Sequence, residues 1–276
     1  AKLAALLLGS GEDLDGAWGV GNAQGPRLPL VLVPTTAGTG SEVTPVAIVT
    51  VEADEKRGVS SPLILPDMAV LDAELTRGLP AAITAATGID AMVHAIEAFT
   101  SRSPNANPLS RMLATEALRL LGAHIARAVT DGSDMEARRA MLTGSMLAGQ
   151  AFANAPVAAV HALAYPIGGI FHLPHGLSNA LVLPHVLRFN AREAGAEYAA
   201  LAKLVFPGHV IARDLADGLA ELSAQLGLPG RLRDVGVGAD DLPRCARDAM
   251  KQTRLLVNNP REMNEADALA IYEAAW

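Results

Sequence analysis

Apolar and polar positions along the 276-residue chain fall into two regimes. From Ala1 to about Leu79, short apolar runs alternate with Gly, Pro and Thr, and Leu30–Val33, Val46–Val51 and Met68–Leu71 read as buried strands between turn signals. From Pro80 onward such runs are scarce. Ala, Leu, Arg and Glu recur there at helical spacing, in Ala81–Phe99, Pro108–Thr130, Asp134–Ala153 and Ile211–Leu226. Pro80 suits the opening turn of the first of these helices. The pattern predicts an α/β part over residues 1–79 and an all-helical part over 80–276. No repeat and no low-complexity linker separates them, so the two are expected to pack closely around a cleft.

Half of the residues are hydrophobic, enough for a core, and the net charge of −7 comes without any Lys/Arg tract. Nucleic acid is therefore not the expected partner, and a small molecule is. Runs such as Ala4–Leu8 are too short to span a bilayer, and the N-terminus lacks the order of a secretory signal, so no membrane partner is expected. The single cysteine, Cys245, rules out a disulfide framework or a thiolate zinc cluster. It points to a reducing, cytoplasmic setting, and any metal would rest on His and carboxylates.

Two clusters can supply such ligands. In Gly88–His94, Asp90 and His94 stand four apart, so on a helix they share a face and can share one metal ion; the alternatives are a simple hydrogen bond or a solvated face. Between His161 and Gly176 lie three of the seven histidines: His161, His172 and His175. His161 reads as the end of an Ala-rich helix that Pro166 and Gly168-Gly169 break, which lets the chain return His175 toward it. Three imidazoles and a carboxylate form a site suited to Fe(II) or Zn(II); the alternative is histidines with ordinary hydrogen bonds. Upstream, Pro34–Glu42 follows a strand with Thr35, Thr36 and Thr39 among small residues. It reads either as a loop donating to phosphate or ribose oxygens or as an ordinary turn. Lys56, placed after the next strand, reads as a partner for an anionic cofactor group or as a solvated lysine.

Together these motifs resemble the iron-containing (group III) alcohol dehydrogenase family. The strings that carry the resemblance are PTTAGTGSEVTP (Pro34–Pro45), LPDMAVLDAELT (Leu65–Thr76), ATGIDAMVHAIEAF (Ala86–Phe99), His161–Val186 and NNPREM (Asn258–Met263), and it runs over essentially the whole chain. The resemblance implies a Rossmann-like α/β dinucleotide-binding domain followed by an all-α metal-binding domain, a dehydroquinate synthase-like architecture. It makes Asp90, His94, His161 and His175 the metal ligands. It makes Thr35, Thr36, Thr39, Lys56 and Leu75 the cofactor contacts. The implied activity is hydride transfer between NAD or NADP and a small alcohol, diol or hydroxy acid and its carbonyl partner, with Fe(II), or Zn, as Lewis acid and a homo-oligomer such as a dimer as the working form. The alternatives are a maleylacetate reductase-like or glycerol dehydrogenase-like branch, a metal-binding remnant without activity, or a metal-dependent hydrolase, which has no use for the threonine loop.

Three departures from the family pattern carry expectations of their own. Relatives have a histidine four residues after the third ligand, where this chain has Tyr165. His172 is a candidate replacement for proton relay, the Tyr165 hydroxyl is another, and both as plain walls is the third reading. Pro156 stands where relatives have a glycine-rich run and is expected to start or bend the helix carrying His161. Finally, the chain begins Ala-Lys-Leu-Ala in helix-like composition, where relatives have a preceding GGGS turn and further α/β structure. The resemblance therefore implies a partial dinucleotide-binding domain that keeps the metal site, binds NAD(P)H weakly or not at all, and has an exposed apolar strand edge.

Overall fold

The computed structural model describes residues 1–51, 55–207 and 214–276. The first part is a small α/β layer. Helix α1 (Lys2–Ser10) ends at Gly11, whose left-handed φ of 73° lets its N–H return to the Leu7 carbonyl. A single turn, α2 (Leu14–Ala17), is capped by Asp13 and leads to β1 (Gly19–Val20). Strands β3 (Val46–Val51) and β4 (Glu55–Ser60) form an antiparallel pair in register Val46↔Ser60 to Val51↔Glu55. β1 joins the other side of β4 in parallel, giving the order β1-β4-β3. β2 (Val31–Leu32) and β5 (Met68–Ala69) form a separate parallel pair. Leu6, Ala17, Ala23, Val59 and Ile64 make a small core under this layer.

The three apolar runs do form strands, but they are not the buried strands their composition suggests. β3 is an edge strand, and Ile48 and Val49 are each 37% exposed, with Val31 and Met68 at 55% and 58%. Each of these strands pairs on one side only; Val31 and Met68 are exposed to solvent, and Ile48 and Val49 face a cleft. β1 and β4 carried too few apolar residues for the alternation pattern to find them.

The rest is helical. α3 (Ala81–Thr100) is the hub, packed by α4 (Pro108–Thr130), α5 (Met135–Asn154) and α7 (His175–Val205). Its Ile89, Ala91, Met92, Val93, Ala95, Ile96 and Ala98 are all fully buried, as befits a helix apolar on nearly every side. α4 starts with a capping box between Asn107 and Ser110 with Pro108 in the first turn, and α5 starts on the Asp134 cap. α6 (Ala159–Ile170), α8 (Leu215–Gln225), α9 (Leu242–Met250), α10 (Thr253–Leu256) and α11 (Glu265–Ala275) complete the layer. Helices α3, α4 and α5 match the expected spans to within a residue; α8 is shorter than Ile211–Leu226, whose first three residues lie outside the described ones.

α6 corrects the reading of the histidine-rich segment. His161 stands in the first turn of α6 rather than at the end of the preceding helix, and Pro166, Gly168 and Gly169 lie inside α6 without breaking it. Nearly the whole helix is buried, and that packing outweighs the poor helical propensity of these three residues. Pro156 sits in the break between α5 and α6, ahead of the helix it was expected to start or bend.

Candidate metal centre and cleft

Asp90, His94 and Glu97 recur at i, i+4 and i+7 along α3 and so project from one face of this otherwise apolar helix. α6 brings His161 in its first turn, and α7 brings His175 as its first residue and Asn179 one turn later. The result is one compact cluster. His161 Nε2 lies 3.1 Å from His94 Nε2 and 3.8 Å from Asp90 Oδ1, and His175 Nε2 lies 3.6 Å from the same oxygen. Asp90, His94 and His161 are all at most 5% exposed; the His175 side chain, 31% exposed, forms the open side.

Electrostatics favour a bound cation here. Burial holds His94 in its neutral form, with a pKa pushed down to about 3. Burial alone would raise the Asp90 carboxyl, but the facing histidines and the Asn179 amide, which donates to Oδ1 at 2.6 Å, outweigh it and keep the group ionised. His161 Nδ1 lies 2.6 Å from Glu97 Oε2, while Glu97 Oε1 accepts the Val160 N–H at 2.7 Å. A carboxylate at Nδ1 keeps the proton there, leaving Nε2 as a lone pair aimed into the cluster. Two imidazole nitrogens lie 3.1 Å apart, close enough to share a proton, with a carboxylate oxygen and a third imidazole beside them, a donor set that one cation could bridge. Three nitrogens, one oxygen and no thiolate fit Fe(II) or Zn(II).

The cluster forms the floor of a cavity of about 720 Å³. Phe152 stacks on the His94 ring at 4.5 Å and forms part of the wall with Val157, Tyr165 and β3. Thr39, Ser41 and Thr44 also line the cavity, and the threonine loop is seated directly on the helices. Gly40, at φ +55°, lies so close to α5 that a Cβ on it would stand 2.6 Å from Gly149 Cα. Of the residues the sequence singled out, Thr39, Tyr165, His94, His161 and His175 line the cavity. Thr36 is half-buried and Thr35 exposed, both outside that lining, as is Leu75, 48% exposed. His172 is exposed in the turn before α7, at φ +54°, and is not part of the wall either. Lys56 lies within β4 rather than after a strand, and its side chain falls outside the described residues.

Sequence reading missed Glu97, Asn179, Lys2 and Phe152 of this site. Glu97 was detectable, as a lone acid continuing the Asp90–His94 face, and Asn179 as a polar residue one turn past His175. Lys2 carried no signal, because a lysine in a helix ordinarily reads as surface. Here it is buried on the cavity wall, donating to the Thr44 carbonyl at 2.6 Å, to Thr44 Oγ1 and to the Val46 carbonyl. Burial lowers its pKa to about 8, against the opposing charge of Glu42.

Comparison with known proteins agrees with this geometry. Residues 84–276 match the model of the Fe-containing alcohol dehydrogenase family, C-terminal, and residues 1–73 match that of iron-containing alcohol dehydrogenase. Long-chain-alcohol dehydrogenase 1 of Geobacillus thermodenitrificans (strain NG80-2) is 41% identical over 285 residues, covering 100% of this chain and 71% of its own length. A crystal structure of 1,3-propanediol oxidoreductase superposes with a TM-score of 0.93 at 38% identity, over 100% of this chain and 73% of that one. A sulfoacetaldehyde reductase from Bifidobacterium kashiwanohense, solved in complex with NAD+, superposes with a TM-score of 0.88 at 30% identity, over 99% of this chain and 72% of that one.

Proposed function

The chain belongs to the iron-containing alcohol dehydrogenase family, and from that membership we propose that it transfers hydride between NAD(P) and a small alcohol, diol or hydroxy acid and the corresponding aldehyde or ketone. The observation that carries the proposal is the cluster of Asp90, His94 and His161, whose ligand atoms all lie within 4.8 Å of one another, with His175 Nε2 3.6 Å from Asp90 Oδ1. These four residues would hold the ion, Fe(II) in the first instance and Zn(II) as the alternative. When bound, the ion polarises the substrate oxygen and the nicotinamide carries the hydride.

The chain's own residues supply the rest. Glu97 fixes the His161 tautomer and, through Val160, the start of α6. Asn179 orients Asp90, and Phe152 keeps water from the His94 face. Thr39 and the loop around it receive the cofactor, with Lys2 also buried on the cavity wall. Tyr165 Oη is the group we assign to the substrate hydroxyl proton: its ring packs 5.9 Å from that of His175 on the cleft wall, whereas His172 faces out of the turn. Residues 1–79 act in this reading as the cofactor side and 80–276 as the metal side.

We also place the protein in the cytoplasm as a homo-oligomer. Its one thiol is buried, and Leu109 and Met112 leave an apolar stripe exposed on α4. No helix among the described residues is long and apolar enough to cross a membrane. The test is dehydrogenase activity with NAD(P)+ on short alcohols. His161→Ala and chelation should each abolish it, and activity that survives loss of His161 would overturn the ligand assignment.

A further inference from the structure

A second cavity, of about 340 Å³, adjoins the metal cleft. The β3–β4 hairpin bounds it on one side and Tyr165, Gln252 and Arg254 on the other, and Tyr165 and Arg254 also line the larger cleft. Thr39 and Lys2 belong to the larger cleft alone, so this space lies away from the threonine loop. Arg57 and Arg254 stand in the wall, and no carboxylate lines either cavity among the described residues, in a chain whose net charge is −7. The Arg254 guanidinium makes no ion pair or hydrogen bond among the described residues. Its positive charge does reach Tyr165, where it opposes the upward push of burial on the phenol. Arg57 is laid over the Trp18 ring, 5.3 Å from the centroid, a contact that orients its planar fork.

Resting on the dehydrogenase reading above, we infer that this cavity is an anion subsite in which Arg254 and Arg57 hold a carboxylate or sulfonate at the far end of the substrate. The substrate class is then a short aldehyde or alcohol bearing a terminal oxyanion, with its reacting carbon at the metal cluster and its charged end past Tyr165. A guanidinium recognises such a group through paired N–H donors, which an alkyl chain cannot use. Because both arginines are open to solvent, the preference for the anion should weaken as salt is raised.

The experiment compares kcat/KM for succinate semialdehyde with that for pentanal, which matches it in length without the charge. Succinate semialdehyde should be preferred. Arg254→Gln should cut that preference about tenfold or more, mainly through KM, and Arg254→Lys should restore part of it. A preference unchanged within about twofold, or a variant that raises the KM of the cofactor instead, would overturn the proposal. A second readout separates it from the reaction itself: Trp18 emission, isolated by Trp276→Phe, titrated with 4-hydroxybutyrate in the absence of cofactor. Quenching that Arg254→Gln weakens, in a protein that reduces neither aldehyde, would keep the subsite and remove the dehydrogenase reading. Turnover of both aldehydes at equal rates with no quenching would do the reverse.

Discussion

Glu97 and His161 meet at 2.6 Å, with both residues at most 5% exposed, and the second oxygen of Glu97 is taken by the Val160 N–H. Two donors thus face one side chain, and only a carboxylate can accept from both at once. In Glu97→Gln, the amide can satisfy Val160 only by turning its NH2 toward His161. The imidazole proton then moves to Nε2, where it blocks metal binding. Metal affinity should fall about 10–100-fold, with the helical circular dichroism unchanged. The histidine ¹⁵N shifts should show the tautomer change directly, and unaltered shifts would count against the role assigned to Glu97.

Gly176 follows His175 in the first turn of α7 and lies against the Ala86 carbonyl of α3, so that a Cβ there would overlap the oxygen and stand 2.7 Å from the carbon. His175, the residue before it, lies with its Nε2 3.6 Å from Asp90 Oδ1. Gly176→Ala should move α7 away from α3, costing about 1–3 kcal/mol of stability by overpacking and weakening metal retention at the same time. Thermal melts with and without metal measure both effects. A variant with wild-type melting and metal content would show that the helices can part without cost.

Tyr165 lines the cleft and His172 does not. Tyr165→Phe should lower kcat for alcohol oxidation about 10²-fold while leaving cofactor affinity in place, the size expected for loss of a positioned hydroxyl that relays the proton, taking it from the substrate as its own passes on to solvent. His172→Gly, which also relieves a positive φ of 54°, should keep kcat near that of wild type. Steady-state kinetics of the pair decides the assignment, and the opposite ranking would return the relay to His172.

His185 on α7 has its pKa lowered to about 4, chiefly by burial and also by the neighbouring Arg188. Unfolding releases it to the ordinary range near 6.5. The unfolded chain therefore binds more protons between these values, and stability present above the unfolded pKa is lost as pH falls toward 4. Denaturant unfolding should show a smaller slope against pH over that window in His185→Gln than in wild type. Parallel curves would mean that His185 titrates alike in both states.

The helical part was legible because its elements are long and their apolar period is regular, so Ala81, Pro108 and the Asp134 cap marked real starts. What misled was local propensity where tertiary packing decides. Pro166 and two glycines looked like a break, yet α6 is buried along most of its length and runs through them. Apolar strands looked buried although Val31 and Met68 are exposed and Ile48 lines the cleft. In the site, the four ligand candidates stood out because histidine and aspartate are conspicuous in an Ala-rich chain. Glu97 and Asn179 did not, since their meaning depends on which atom they touch, and the distance from Glu97 to His161 spans 64 positions of sequence.

The central claim is that Asp90, His94, His161 and His175 together hold one divalent ion. Metal analysis of protein purified without air, for wild type beside His161→Ala and Asp90→Asn, tests it most directly. Wild type should carry about one Fe or Zn per chain, and both variants should lose most of it while keeping their helical content. Full metal occupancy in His161→Ala, or none in well-folded wild type supplied with Fe(II) and Zn(II), would contradict the account.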